Sequence, residues 1–269
     1  MSFIDHLEEL RWHIVRSVIA IFVLSITAFI AKDFVFNTII FAPSRPDFWT
    51  FRMLCKVGDF INSDAICIES IPFKIQSRKM TGQFTMHITS SFVIGLIVAF
   101  PYIFWEFWRF ISPGLYSNER KVSRGAVFFV TLLFSMGVMF GYFVMSPLAV
   151  NFLANYQVSE LVYNEFDITS YVSTLSTLIL GSGILFQLPI VVYFLSKVGI
   201  VTPALMKSYR KHAIVVILVL GAMLTPPDPL SQVLIAFPLF GLYEISILIS
   251  KRVTKRALKQ ELKRQKSQS

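Results

Sequence analysis

The sequence predicts an all-α, polytopic integral membrane protein with six transmembrane helices, of which the fifth and sixth are short. Three observations predict it. Of 269 residues, 55% are hydrophobic and only 15% charged, with a mean hydropathy of +0.64; a soluble domain carries closer to about a quarter charged residues. Apolar runs recur at lengths that cross about 30 Å of hydrocarbon as helix. Basic residues cluster in alternate connections and are missing from others, the pattern that sets orientation in a bilayer.

Taken in order, the spans are 12–31, 84–105, 125–152 and 171–195, followed by an apolar region over 213–249. The first run follows the acidic segment 4–9 and has no small-residue cleavage site before Lys32 and Asp33, so it is expected to stay in the mature chain. The last region is broken by Thr225-Pro226-Pro227-Asp228-Pro229. Proline removes an N–H and clashes with the preceding turn, so no helix continues through that stretch and the region reads as two spans. A fifth helix over 213–224 then reaches only about 18 Å at 1.5 Å a residue. Local bilayer thinning meets such a mismatch; the alternative is a re-entrant hairpin.

Charge decides between these. Arg11 and Arg16 precede the first span, Arg109, Arg120, Lys121 and Arg124 separate the second from the third, and Lys197, Lys207, Arg210 and Lys211 separate the fourth from the fifth. A further basic run starts at Lys251, whereas 155–170 and 226–230 contain no Lys or Arg. The alternation puts both termini in the cytoplasm and the proline-rich turn on the opposite face. The expected organisation is one membrane domain over 1–254, with an N-terminal amphipathic helix over 1–16 and an outer loop over 32–83, then a basic, disordered tail over 255–269. The loop holds seven basic residues, but at about fifty residues it nears the length at which charge stops deciding orientation. Cys55 and Cys67 both fall in that loop, where an oxidising compartment favours a disulfide over idle thiols.

A net charge of +9 in a soluble protein would suggest nucleic acid; here the excess belongs to cytoplasmic loops, and no nucleic-acid partner is expected. HExxH, Walker A, GxSxG and Cys/His clusters are missing from the sequence, so no catalytic residue, metal or cofactor is assigned. Charges are missing from the middle of the third to fifth spans, which weakens a proton-coupled carrier. Gln187, next to Pro189 in the fourth span, is read as a helix–helix hydrogen-bonding group or as the lining of a polar cavity.

Two acidic spots lie near the cytoplasmic face. Ser2 and Asp5 suit a helix start, with Phe3, Leu7 and Leu10 on one face and Glu8 and Glu9 beside Arg11. Glu119 is a lone carboxylate among Arg120, Lys121 and Arg124, after the Pro113-Gly114 turn. By themselves these acids read as surface groups balanced by their neighbours.

Three motifs make the reading specific. His6-Leu7-Glu8-Glu9-Leu10-Arg11 resembles the HLxELR signature of the TatC family of twin-arginine protein translocase subunits. Phe110 to Tyr116, then Glu119-Arg120-Lys121, is similar to that family's FxxPxLxxxER loop, and Leu224-Thr225-Pro226-Pro227-Asp228 with Ser231-Gln232 to its LTPPDxxSQ turn. The resemblance implies the core receptor of the twin-arginine translocation system in the bacterial cytoplasmic (inner) membrane, which exports folded proteins using the proton-motive force. It implies that Glu9 and Glu119 receive the two arginines of a signal peptide, with Arg11, Phe110, Pro113, Leu115, Tyr116 and Arg120 around them. A guanidinium presents a rigid donor fork to a carboxylate and lysine does not. The resemblance further implies self-association, single-span TatA and TatB partners, a polar contact site at Thr225 and Gln232, and a structural turn at Pro226, Pro227 and Asp228. Two departures from the family pattern stand out: Gln187 where many members carry Glu, and a longer outer loop. The rival readings are a secondary transporter of a small solute and a membrane assembly scaffold.

Overall fold

The computed structural model describes residues 3–61, 67–68, 73–111, 120–159, 161–162, 164–225 and 229–268. Among them five helical stretches are long and apolar enough to cross a membrane: Glu8–Ile30, Gly82–Ile111, Val127–Asn155, Ile168–Val198 and Gln232–Lys255. The chain divides into two compact units, Met1–Gly181 and Ser182–Ser269.

In the first unit, α1 (Phe3–Ile30) runs from the N-terminal motif through the first span without a Gly or Pro to break it. It packs against α4 (Gly82–Ile111). The crossing is close because Gly95 faces Ser25: a Cβ on Gly95 would lie 2.7 Å from the Ser25 backbone nitrogen. Small residues let membrane helices approach in this way, where packing replaces the hydrophobic drive available in water. At one end of this pair His13 meets Glu106; at the other, the Phe29 ring stacks on His87 at 3.9 Å and His87 Nε2 lies 3.0 Å from the Phe29 carbonyl oxygen.

Beyond α1 come α2 (Lys32–Phe34), a π-helical turn (Val35–Ile40), a 3-10 turn (Ala42–Ser44) and the amphipathic α3 (Trp49–Ile61). Cys55 of α3 is disulfide-bonded to Cys67, as the outer-loop argument anticipates. The third span combines α5 (Arg120–Phe140), a π-helical turn (Gly141–Met145) and α6 (Ser146–Asn155). Pro147 has no N–H for the Phe143 carbonyl four residues earlier. The Thr50 hydroxyl at the start of α3 donates to that carbonyl instead. Asn164 closes the far end of α6, its Nδ2 donating to the carbonyls of Ala154 (2.9 Å) and Tyr156 (3.0 Å), two of the acceptors a helix end leaves open.

The core of this unit gathers Val35, Ile40, Met86, Val150, Val172 and Leu175 around Tyr171, whose hydroxyl donates to the Ile40 carbonyl at 2.8 Å. Above it, β1 (Lys74–Gln76) pairs in parallel with β2 (Glu165–Asp167), Ile75 opposite Phe166. Asp167 is the clasp. Its carboxylate accepts from the hydroxyl of Thr169 and the backbone N–H groups of Thr169 (2.8 Å) and Arg78 (2.9 Å), and these donors hold its pKa down at about 2.

The fourth span is interrupted, as Pro189 suggests. α7 (Ile168–Leu185) stops, Phe186 and Gln187 make a turn, and α8 (Leu188–Val198) begins with Pro189 in its first turn, where a missing N–H costs nothing. Gly199 then ends α8 at φ +84°, a left-handed conformation that favours glycine, and lets the Ile200 N–H reach back to the Leu195 carbonyl at 3.0 Å. α9 (Pro203–Ser208) is capped by Thr202.

In the second unit, α10 (Arg210–Leu224) and α11 (Pro229–Gln268) form a hairpin; Pro226, Pro227 and Asp228 of the predicted turn lie outside the described residues. At 15 residues α10 measures about 22 Å, short as anticipated. α11 is not. It runs 40 residues with a 24-residue apolar stretch, correcting the short sixth helix, and it continues through the tail expected to be disordered. Apart from Ser267 and Ser269, Lys, Arg, Gln, Glu, Ala and Leu fill that tail with no Gly or Pro, all good helix formers once α11 has nucleated. Gly221 permits the hairpin's close contact, since a Cβ there would meet Ile235 at 2.9 Å.

Candidate functional site

The end of the α1–α4 pair nearest the N-terminus carries a buried acid. Glu106 is 1% exposed and sits in the run Phe104-Trp105-Glu106-Phe107-Trp108. His13 Nδ1 lies 2.5 Å from its Oε2, and the Tyr102 hydroxyl, one turn earlier, donates to Oε1 at 3.0 Å. Arg109 and Arg16 approach the same carboxylate at 3.7 and 3.9 Å, with about half of each side chain in solvent. A carboxylate withdrawn from water this far needs such partners, because an unpaired buried charge is very costly. The Arg109 guanidinium also lies 4.9 Å over the Trp105 ring, a cation–π contact.

This cluster ties together two of the sequence motifs. Glu9, half-buried, sits one turn before His13 on α1, and Arg11 is exposed beside it. Phe110 follows the Arg109 that reaches Glu106, and its ring meets the His13 ring edge-on at 6.1 Å. Glu9 and Phe110 are thereby brought to one corner of the unit. Pro113, Leu115, Tyr116 and Glu119 lie outside the described residues, as does the side chain of Arg120, the first residue of α5.

The remaining candidates lie in the second unit. Gln187 occupies the turn between α7 and α8, where its backbone carbonyl accepts from Ile190 (3.0 Å) and Val191 (3.1 Å). Thr225 is buried and its hydroxyl donates to the Gly221 carbonyl at 2.9 Å. Gln232 Nε2 donates across the hairpin to the Leu218 carbonyl at 3.2 Å. Gln232 thus joins α11 to α10, whereas Thr225 closes the last turn of α10.

Glu106 is the residue that the sequence analysis did not single out. The signal was present: a carboxylate inside an aromatic run, four residues after a tyrosine, within a spanning segment, where an ionisable group marks function or a specific partner.

These features define a polytopic, helical membrane protein in which the N-terminal motif and Phe110, at the start of the second motif, meet at one end of the α1–α4 pair. A family model described as Sec-independent protein translocase protein (TatC) matches residues 5–238. The TatC protein of Blattabacterium sp. subsp. Periplaneta americana is 40% identical over 258 residues, 95% of this chain and 97% of that protein. That of Aquifex aeolicus is 34% identical over 258 residues, again 95% and 97%. A crystal structure of the twin-arginine translocase receptor TatC aligns with a TM-score of 0.67 at 33% identity, over 93% of this chain and 99% of that one. The chain belongs to the Sec-independent protein translocase TatC family. It is a protein-transport subunit, and neither the solute-transporter nor the scaffold reading is favoured.

Proposed function

We propose that this protein is the signal-peptide receptor of its translocase, reading twin-arginine signal peptides of folded proteins through Glu9 and Glu119. The observation that carries the proposal is the cluster at Glu106, which locks the helix bearing Glu9 against the helix that leads into the Phe110–Glu119 motif. Two carboxylates from separate segments suit two adjacent guanidiniums, each a planar fork of donors. Arg11, Phe110, Pro113, Leu115, Tyr116 and Arg120 complete the proposed groove.

The same reading places the protein in the bacterial inner membrane with both termini cytoplasmic, following the basic loops, and counts α10 as the short fifth of six spans. TatA and TatB subunits and further copies of this chain are the proposed partners. Thr225, Gln232 and Gln187 lie beside their contact site, and Pro226, Pro227 and Asp228 form the turn. Covalent chemistry, cofactor and metal have no part in this role.

A peptide-binding titration in nanodiscs at fixed salt tests the proposal. Replacing Glu9 or Glu119 by Ala should cost about 2 to 5 kcal/mol, the range for truncating one partner of a desolvated charge pair. Solvated surface acids would lose no more than about 1 kcal/mol. A twin-lysine peptide should bind the parent chain poorly and lose little more in Glu119→Ala. Equal losses for both peptides would reduce the site to general charge attraction, and no loss would remove these residues from it.

A further inference from the structure

The outer segment between α1 and α4 has no part in the proposed receptor site, yet α3 within it has a definite surface. Trp49, Met53, Val57 and Phe60 recur at i, i+4, i+8 and i+11, which aligns them as one stripe on a helix. All four are exposed, Phe60 by 87%. The opposite arc, with Phe51 at 0% and Gly58 buried, faces the protein. Along one border of the stripe stand the exposed Arg52 and Lys56, with Asp59 beyond them. The helix therefore has three sectors: one packed, one apolar and open, one charged.

Depth accounts for the open sector. Thr50 donates to the Phe143 carbonyl, and the rings of Phe48 and Trp49 lie 5.7 and 5.8 Å from that of Phe143. Phe143 belongs to the Val127–Asn155 span and precedes its end by about 18 Å of helix. The start of α3 is thus level with the interior of a spanning helix instead of standing clear of the bundle. At 13 residues α3 covers about 20 Å and cannot itself cross a bilayer.

We infer that α3 lies in the plane of the membrane interface, its Trp49–Met53–Val57–Phe60 stripe dipping into the acyl region and Arg52 and Lys56 pairing with anionic phospholipid phosphates. A helix with an apolar stripe bordered by basic residues binds a lipid surface by burying the stripe while its cations meet the headgroups. Tryptophan suits this level, since its ring is largely apolar and its N–H polar. The disulfide from Cys55 to Cys67 leaves from the α3 flank next to the packed arc and not from the stripe.

The test uses spin labels on single added cysteines in the oxidised full-length protein, where Cys55 and Cys67 are bonded and unreactive, reconstituted in nanodiscs. Labels at Met53, Val57 and Phe60 should be more accessible to oxygen than to a water-soluble nickel chelate. The order should reverse at Asp59 and at Tyr156, an exposed residue beyond α6. Greater accessibility to the nickel chelate along the stripe would put it in water, and low accessibility to both would show a protein partner or a second copy covering it. Either result overturns the inference. In a second arm, the labels should sit deeper in nanodiscs rich in phosphatidylglycerol than in phosphatidylcholine alone, and Arg52→Gln with Lys56→Gln should remove the difference. No lipid dependence in the parent chain would overturn the headgroup pairing.

Discussion

At the scale of single residues, the structure turns on places where one atom has no alternative. Glu106 is the clearest: its carboxylate is buried and its surroundings are a His13 N–H, a Tyr102 hydroxyl and two guanidiniums. Glu106→Ala leaves those groups without their acceptor and should destabilise the folded protein by about 3 to 5 kcal/mol, the range for breaking a buried pair from one side. Glu106→Gln keeps an acceptor for Tyr102 and should cost less. Thermal unfolding in detergent measures both, and equal melting temperatures for Glu106→Ala and the parent would refute the assignment. Gly95 is the steric counterpart. Gly95→Ala puts a Cβ 2.2 Å from Ser25 Oγ and 2.9 Å from Ser25 Cα, so backbone must move, and a loss of about 1 to 3 kcal/mol is expected from overpacking. Ser25→Ala should be neutral or stabilising, because the Ser25 hydroxyl is buried without a hydrogen-bond partner among the described residues.

At the scale of elements, the two-stranded sheet shows how a local acid holds distant segments together. Asp167 carries hydrogen bonds from both sides of the β1–β2 pairing, and its pKa is lowered to about 2 from an ordinary 3.8. A group depressed in the folded state stabilises it fully above its unfolded pKa, and loses that contribution as pH falls through the folded value. The clasp should therefore be intact above about pH 4 and open as pH approaches 2. A label-to-label distance between Ile75→Cys and Phe166→Cys should lengthen over that window, and Asp167→Asn should remove the pH step. A distance that stays constant to pH 2 in the parent chain would show that the strand pairing does not depend on this carboxylate. The residues of this sheet could be read in the sequence only as loop. Neither strand has an alternating run long enough to announce itself, and the partners lie on opposite sides of two spans.

At the scale of the whole molecule, the shortness of α10 sets how the last hairpin meets the membrane. Its length of about 22 Å falls short of about 30 Å of hydrocarbon, so the turn that follows should lie below the headgroups. A fluorophore at Met223, which is 75% exposed near the end of α10, should be quenched by lipids brominated along their acyl chains and resist aqueous iodide. Quenching by iodide alone would place that end in water and overturn the expectation that the turn lies below the headgroups.

The sequence by itself determined the class, the positions of the long spans, the break at the proline-rich turn and the family. These follow from composition, from run length against bilayer thickness, and from motifs contiguous in the chain. It also pointed to the Cys55–Cys67 bond, since both thiols fall in one loop. What tertiary structure alone decided are the pairings between helices: Glu106 with His13, Gly95 with Ser25, Thr50 with the carbonyl freed by Pro147. Each depends on which helix faces which, and at what height. In a membrane protein nearly every face of a span is apolar, so hydrophobic periodicity says little about that choice. It is made by small residues that permit close approach and by the few polar groups that must find partners away from water.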